Sequence, residues 1–419
     1  MEATEAQSNI FYILIAALWL VALVWFVIVI LTLRGLARQQ TLLPTINLSL
    51  TASDAPLVSI LVPARNEQHR VLEPCIRSIL AQDYGRFEVI AVDDRSTDAT
   101  RAVLKTLAKS DDRLRVIEGL ELPPGWLGKP YAMQQALNHA RGEWILATDA
   151  DMIFETSALR SALDFVLKDH GDALTLIPRF EAESFWECVM IPTWAWVFLM
   201  FAAFYRIDDR NTDRAVGIGG FFLIRHTVLD RVGGYEALKD EVMEDARLAE
   251  RIKRSNARLL VTQAPALIRT RMYKTFGEMW ECSTKNWFSG VNFSLPFALF
   301  CVVSMYLIAV VPPLISLLLA IVLASGVSTD VSVLLIPAAL SWLLQVLVMA
   351  SVSRLSEVSP AYALTVPLGL GVMYAMLFDS SIKITTGRGV TWKGRKIYER
   401  RGVRPPRFRV VNPKGEHYG

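Results

Sequence analysis

The pattern of apolar and polar positions divides the chain into membrane-like and globular stretches. Residues 10–33 carry no charged side chain and exceed the ~20 apolar residues that one spanning helix needs. Further apolar stretches cover residues 295–324, broken by Pro312-Pro313, then 331–352, then 361–378. The first two predict a hairpin across the short loop at 325–330. The third carries Pro367, Gly369 and Gly371, which predict a re-entrant or interfacial piece.

Beyond residue 57 the period changes. Short β-branched runs at 58–62, 87–92, 114–117, 143–148 and 173–177 predict strands, and helical patterns occupy 68–82, 97–109, 129–140 and 156–168. Strands alternating with helices of this length predict βαβ units and an α/β domain whose mostly parallel sheet is covered on both faces. In such sheets ligands sit beyond the carboxyl ends of the strands. Pro63-Ala64-Arg65-Asn66-Glu67, Asp93-Asp94 and Asp149-Ala150-Asp151 each follow a strand directly, so polar groups recur at equivalent ends. Neither Gly-x-Gly-x-x-Gly after the first strand nor Gly-x-x-x-x-Gly-Lys-Ser/Thr occurs, which disfavours a dinucleotide-binding dehydrogenase and a P-loop protein.

A composition of 53% hydrophobic and 20% charged residues in a chain of 419 is rich for a soluble protein and agrees with lipid-embedded segments. Glu2 and Glu5 precede the first apolar stretch while Arg34 and Arg38 follow it, so the positive-inside rule puts the following region in the cytoplasm. Without a basic start or a small-residue cleavage site, the stretch reads as a retained anchor. Four crossings from an outside start would end outside, yet the tail from residue 383 is dense in Lys and Arg, which favours the cytoplasm. One segment should therefore not cross, and 361–378 is the expected one. A net charge of +3 leaves no footprint for nucleic acid, and the basic tail points to anionic lipid headgroups. The four cysteines show no Cys-x-x-Cys or Cys/His spacing, so neither a disulfide framework nor a zinc site is expected.

The acids carry the candidate chemistry. Asp149 and Asp151 fall on one side of the strand's extension, and two hard oxygen donors suit Mg²⁺ or Mn²⁺ bridged to phosphate; a turn with two solvated aspartates is the plain alternative. Asp94 is placed to accept a hydrogen bond from a nucleobase or ribose, and Ser96, Thr97 or Asp98 suits the cap of the next helix. Glu244-Asp245 precede Leu248 and Ile252 at helical spacing, hence in a first turn, where the helix dipole favours acids whatever the function. In a cleft, one of them could take the proton of a hydroxyl. Lys129 opens a helix and can add a positive charge beside a phosphate.

Together, Val58-Ser-Ile-Leu-Val-Pro-Ala-Arg-Asn-Glu67, Val92-Asp-Asp-Arg-Ser-Thr-Asp98, Gly128-Lys129, Thr148-Asp-Ala-Asp151, Gly219-Gly220-Phe-Phe-Leu-Ile224 and Glu244-Asp245 resemble the family 2 glycosyltransferases over roughly residues 57–290. The apolar flanks resemble the membrane-bound, lipid-modifying branch. Within it, Pro-Pro-Gly-Trp-Leu-Gly-Lys at 123–129 and Gly-Arg-Gly-Val-Thr-Trp-Lys-Gly-Arg at 387–395 are similar to hopanoid-associated and carotenoid glycosyltransferases, and more distantly to ceramide glucosyltransferase. The resemblance implies a GT-A fold, a UDP-sugar donor, a divalent cation and inversion by a single displacement. It also implies roles: Pro63, Ala64, Arg65, Glu67 and Asp94 around the uridine, Lys129 near the nucleotide, Asp149 at the diphosphate, and Asp149 with Asp151 at the metal. Gly219 and Gly220 would floor the sugar site, and Asp245 would be the general base with Glu244 on the acceptor side.

One departure matters. Related synthases carry Gln or Arg, two spacers, then Arg-Trp beside an acceptor channel, whereas this chain has Ser283-Thr-Lys-Asn286-Trp287. Trp287 is kept and Lys285 supplies part of the missing charge, so transfer of one sugar to a lipid hydroxyl is favoured over a processive polysaccharide synthase. A non-catalytic nucleotide-binding membrane protein would show gaps among the acidic sites, and none is missing. The aromatic stretch 186–207 is expected to be an interfacial helix or shallow hairpin, because a single crossing would put Asp151 and Asp245 on opposite sides of the bilayer. The expected organisation is an anchor at 1–35, a cytosolic domain at 55–290, membrane helices at 295–382 and a basic cytosolic tail at 383–419, in a bacterial inner membrane.

Overall fold

The computed structural model describes residues 2–45, 55–68, 70–205, 215–326 and 330–399, and the chain forms two compact units. The first comprises residues 39–181, 205–272 and 383–419. Its strands, in chain order, are β1 (Val58–Ala64), β2 (Phe87–Asp93), β3 (Leu114–Glu118), β4 (Trp144–Ala147), β5 (Met152–Phe154), β6 (Ala173–Ile177), β7 (Arg179–Phe180), β8 (Phe222–Arg225), β9 (Leu259–Gln263), β10 (Ile268–Thr270), β11 (Arg388–Trp392) and β12 (Arg395–Glu399).

A seven-stranded sheet has the order β3-β2-β1-β4-β8-β6-β9. β3, β2, β1 and β4 run parallel, as the sequence predicts. β8 lies antiparallel between β4 and β6, and β6 pairs in parallel with β9. All five predicted strands form, but β8 has no alternating pattern because Phe222, Leu223 and Ile224 are all buried, the mark of a strand covered on both faces. A smaller sheet joins β5, β10 and β7.

Alternation along β1 feeds two cores. Val58, Ile60 and Val62 meet α2 (Leu72–Leu80), α3 (Thr100–Ala108) and α5 (Ala158–Lys168) through Ile76, Leu104 and Leu163. Leu61 shares the opposite core with α4 (Gly128–Leu137), α7 (His226–Arg231) and α8 (Glu244–Arg254) through Met133, Leu229 and Leu248. The β11–β12 hairpin belongs to this unit; Tyr398 is buried and its hydroxyl donates to the Asp240 carbonyl at 3.1 Å.

The second unit, residues 1–38, 182–204 and 273–382, is helical. It holds α1 (Glu2–Arg38), α6 (Phe185–Tyr205), α9 (Phe276–Gly290), α10 (Leu295–Met305), α11 (Val311–Ala324), α12 (Leu335–Leu355) and α13 (Val366–Thr385). Pro312 and Pro313 stand in the first turn of α11, where missing N–H groups cost least. The turn before them, Tyr306–Val310, is π-helical. Its Ile308 carbonyl accepts from Trp25 Nε1 at 2.7 Å and Gln345 Nε2 at 3.3 Å, which satisfies a group that lipid would leave unpaired.

Among the described residues, Asn9–Arg38, Leu295–Ala324, Ser332–Leu355 and Pro360–Thr385 are long and apolar enough to cross a membrane. The last takes in the stretch expected to be re-entrant: Gly369 and Gly371 are absorbed into α13 without breaking it. The apolar part of α6, Phe185–Phe201, is shorter, and after α6 the chain returns to the globular unit. Positions 206 and 207 of the stretch predicted as interfacial lie outside the described residues.

Candidate active site

The carboxyl ends of β1 and β2 are cross-stitched. They run in register, Pro63 opposite Val92 and Ala64 opposite Asp93, and each turns away through a left-handed residue, Asn66 (φ 51°) and Arg95 (φ 54°). Such conformations cost energy in a non-glycine residue and persist where the surroundings hold them. Here the Asn66 N–H donates to Ser96 Oγ at 3.1 Å, the Thr97 N–H to Asn66 Oδ1 at 2.9 Å and the Glu67 N–H to Thr100 Oγ1 at 2.8 Å. Arg65 Nη1 donates to the carbonyls of Asp94 (2.7 Å) and Arg95 (2.9 Å). Of the candidate caps only Asp98 serves α3, its Oδ1 accepting from the Thr100 N–H at 3.0 Å; Ser96 and Thr97 bind the other loop instead.

Asp94 and Glu67, both expected at the uridine, are buried and ion-paired. Asp94 meets Arg95 and, at 2.9 Å, Arg395 Nη1; Glu67 meets Lys393, with Arg70 Nε at 3.8 Å. Lys393 and Arg395, in the β11–β12 turn and at the start of β12, belong to the basic tail expected at lipid headgroups, yet the fold directs these two to the strand ends.

A second cluster gathers Lys129, Asp149, Gly219, Glu244 and Asp245. Lys129, at the start of α4, places Nζ 2.7 Å from Asp149 Oδ1 and 2.6 Å from Glu244 Oε1, so it bridges carboxylates rather than standing free beside a phosphate site. Asp245 opens α8 as predicted. Its Oδ2 accepts from the Gly219 N–H and its Oδ1 from the Ala246 N–H, each at 2.8 Å. Four separate chain segments thus converge on one small cavity of about 10 Å³, lined by Lys129, Gly219, Tyr235, Glu244 and Asp245 among others.

Close approach here needs glycine. A Cβ on Gly219 would lie 2.9 Å from Lys129 Nζ, 3.2 Å from Asp149 Oδ2 and 3.3 Å from Asp245 Oδ2. Gly217, which belongs to none of the sequence motifs, is more constrained: its Cβ would stand 2.1 Å from the Asp245 carbonyl oxygen. Gly220 packs on Met152, and its carbonyl accepts from Thr148 Oγ1 at 2.8 Å.

The electrostatics follow from crowding acids in a partly dry site. Burial, then Glu244, pushes the Asp245 carboxyl up to about 6, against the pull of Lys129 and the Ala246 N–H. Burial opposes the Lys129 ammonium, but Asp149, Glu244 and Asp245 together hold its pKa well above the ordinary value. Asp151 is raised to about 7 by burial, then by Asp149 and Glu67, with Lys393 and Arg70 acting the other way. A carboxyl held up by neighbouring carboxylates is a place where added positive charge is favourable. Among the described residues no group of three or more His, Cys, Asp or Glu side chains is arranged to hold a metal; Asp149 pairs with Lys129, and Asp151 lies 3.9 Å from Arg70 Nη1. Lys285 and Trp287, expected on the acceptor side, lie on α9 in the helical unit.

Residues 59–233 match the family described as Glycosyl transferase family 2. A putative teichuronic acid biosynthesis glycosyltransferase, TuaG, of Bacillus subtilis is 33% identical over 113 residues, 27% of this chain and 43% of that one. The beta-monoglucosyldiacylglycerol synthase of Nostoc is 40% identical over 98 residues, 23% of this chain and 20% of its own. The chain thus spans less than half the length of these curated relatives. Among solved structures, the mannosyltransferase PcManGT from Pyrobaculum calidifontis, in complex with GDP-Man and Mn²⁺, superposes with a TM-score of 0.53 at 21% identity, covering 88% of this chain and 98% of that one. The likeness shows the fold: a GT-A-like α/β domain with a mostly parallel sheet.

Proposed function

We propose that this chain, a member of glycosyl transferase family 2 through its residues 59–233, moves one sugar from a UDP-sugar to the hydroxyl of a membrane lipid with inversion at the anomeric carbon. The observation that carries the reading is the convergence of two contacting groups, Lys129 with Asp149 and Glu244, and Gly219 with Asp245, on one site. Asp94, Arg65 and Glu67 at the neighbouring strand ends suit the nucleoside, in the position where parallel sheets bind ligands.

Asp149 and Asp151 would hold the divalent cation, which when bound supplies charge to offset the departing diphosphate. The remaining chemistry belongs to the chain. Asp245, oriented by two backbone N–H groups, takes the acceptor's proton as the acceptor oxygen bonds to the anomeric carbon and the bond from that carbon to the diphosphate oxygen breaks. Its raised pKa brings its basicity closer to neutral pH than that of an ordinary aspartate. Glu244 and Lys129 fix its surroundings. A lipid acceptor is supported by the apolar helices of the second unit, which suit an enzyme held at a bilayer, in keeping with a bacterial inner-membrane location and a cytoplasmic catalytic domain.

The test is direct. Detergent-purified protein given Mn²⁺, labelled UDP-sugars and membrane lipid should yield labelled lipid carrying one sugar. Asp245→Asn should reduce transfer by about 10²–10⁴-fold while leaving UDP binding nearly intact. Full turnover by that variant would remove Asp245 as the base, and a ladder of long products would favour the polysaccharide synthase instead.

A further inference from the structure

Tyr235 is a buried group for which the chemistry above has no use. It follows a turn through Gly233 (φ 90°) and Gly234 (φ 55°), and its position is set from α4: Gln134 Oε1 accepts from the N–H groups of both Tyr235 and Glu236 at 3.0 Å. The residue is 2% exposed, and its hydroxyl has no hydrogen-bond partner among the described residues. A buried hydroxyl left unpaired is destabilising, whereas phenylalanine would fill the same space without that cost. The packing therefore accounts for an aromatic ring here and leaves the oxygen unexplained.

The same residue lines the small cavity it shares with Lys129, Glu244 and Asp245. At about 10 Å³ the cavity is at the threshold for one water molecule, and Lys129, Tyr235, Glu244 and Asp245 bring into its otherwise largely apolar lining the polar partners that a retained water requires. The phenol is raised by burial, then by Glu244, with Lys129 acting oppositely, so it remains a protonated donor at neutral pH.

We propose that Tyr235 donates a hydrogen bond to one buried water that it shares with the Glu244, Asp245 and Lys129 cluster, and that it thereby acts as a positioning residue for the carboxylate pair. The inference rests on the reading of this cluster as a transfer site. A water hydrogen-bonded to several such groups at once would fix their separation, and losing the hydroxyl would remove one of its partners.

Tyr235→Phe in the full-length, detergent-purified chain tests it with Mn²⁺, UDP-glucose and other UDP-hexoses as donors and membrane lipid as acceptor. The expected result is a melting temperature equal to or above that of the wild type, unchanged KM for donor and unchanged UDP affinity, with kcat lower by about tenfold, the effect of losing one water-mediated hydrogen bond. A kcat within twofold of the wild type overturns the proposal, as does a fall in kcat matched by a fall in UDP affinity or melting temperature, which a merely structural role would give. High-resolution crystal structures provide a readout independent of turnover: a water should sit against the Tyr235 hydroxyl and be absent from Tyr235→Phe, and a dry cavity in the wild type overturns the proposal. Failure of the wild type to transfer any of these sugars would instead count against the proposed function, leaving the water to be decided by the crystals.

Discussion

Replacing Lys129 with methionine keeps the length of the side chain and removes its charge. Nζ is ion-paired with Glu244, whose side chain is 6% exposed, and it also holds Asp149. Breaking a fully buried pair costs about 3–5 kcal/mol, but Lys129 is itself 37% exposed, so solvent screens part of the loss and about 1–3 kcal/mol is the reasonable expectation. The effect on catalysis has a defined sign. As the proposed base, Asp245 must act as a carboxylate, and kcat/KM is then expected to rise with pH through a value of about 6. Lys129 is one of the groups that lower this pKa; without it the protonated form is favoured further, and the acid limb must move to higher pH. The stability linkage runs in the same direction. Because the folded carboxyl binds its proton more tightly than the ordinary ~3.9 of an unfolded aspartate, stability is lost as pH rises from there through about 6, and Lys129→Met extends that window upward. Thermal melts at several pH values together with a pH–rate profile on labelled lipid measure both. An acid limb that stays in place, or moves to lower pH, would refute the electrostatic account of the site.

Two glycines should fail differently. Gly217→Ala forces a Cβ against the Asp245 backbone and should destabilise the fold by about 1–3 kcal/mol or more, read by denaturant titration; Gly219→Ala meets only the ends of side chains and should keep most stability while losing transfer. In the tail, Lys393→Ala with Arg395→Ala removes one cationic partner of Glu67, leaving Arg70, and one of Asp94, leaving Arg95. The hairpin should then be cut faster at residues 386–399 in limited proteolysis; an unchanged cleavage rate would show that Tyr398 and the β-ladder hold it without these pairs.

Much of the globular unit was legible because its first strands obey local rules. β1 and β2 are β-branched runs ended by polar turns, and Glu244-Asp245 sit before Leu248 and Ile252 at a spacing only a helix satisfies. What escaped is non-local. β8 is antiparallel inside a sheet whose other central strands are parallel, and its continuous apolar run gives no period to read. The Ser96-Thr97 pair has capping chemistry, yet the neighbouring strand end offered Asn66 as a better partner. Lys393 and Arg395 lie more than 290 positions from Asp94 and Glu67; no window along the sequence joins them. Gly217 looks like any loop glycine until the Asp245 carbonyl is seen against it. Tyr235 reads as a core aromatic, and its unpaired oxygen exists only in three dimensions.

The hairpin's place has a consequence for how the polypeptide threads a bilayer. Since β11–β12 and the seven-stranded sheet share one compact unit, both must face the same aqueous compartment, and the polypeptide between Met272 and Lys383 has to traverse the lipid an even number of times. Three segments in that interval are long enough, so that arrangement requires that they do not all cross. In a variant lacking the native cysteines, Lys105→Cys and Lys396→Cys should react with an impermeant maleimide from the same side of sealed vesicles; labelling from opposite sides would mean that the hairpin leaves the sheet when the protein enters its membrane.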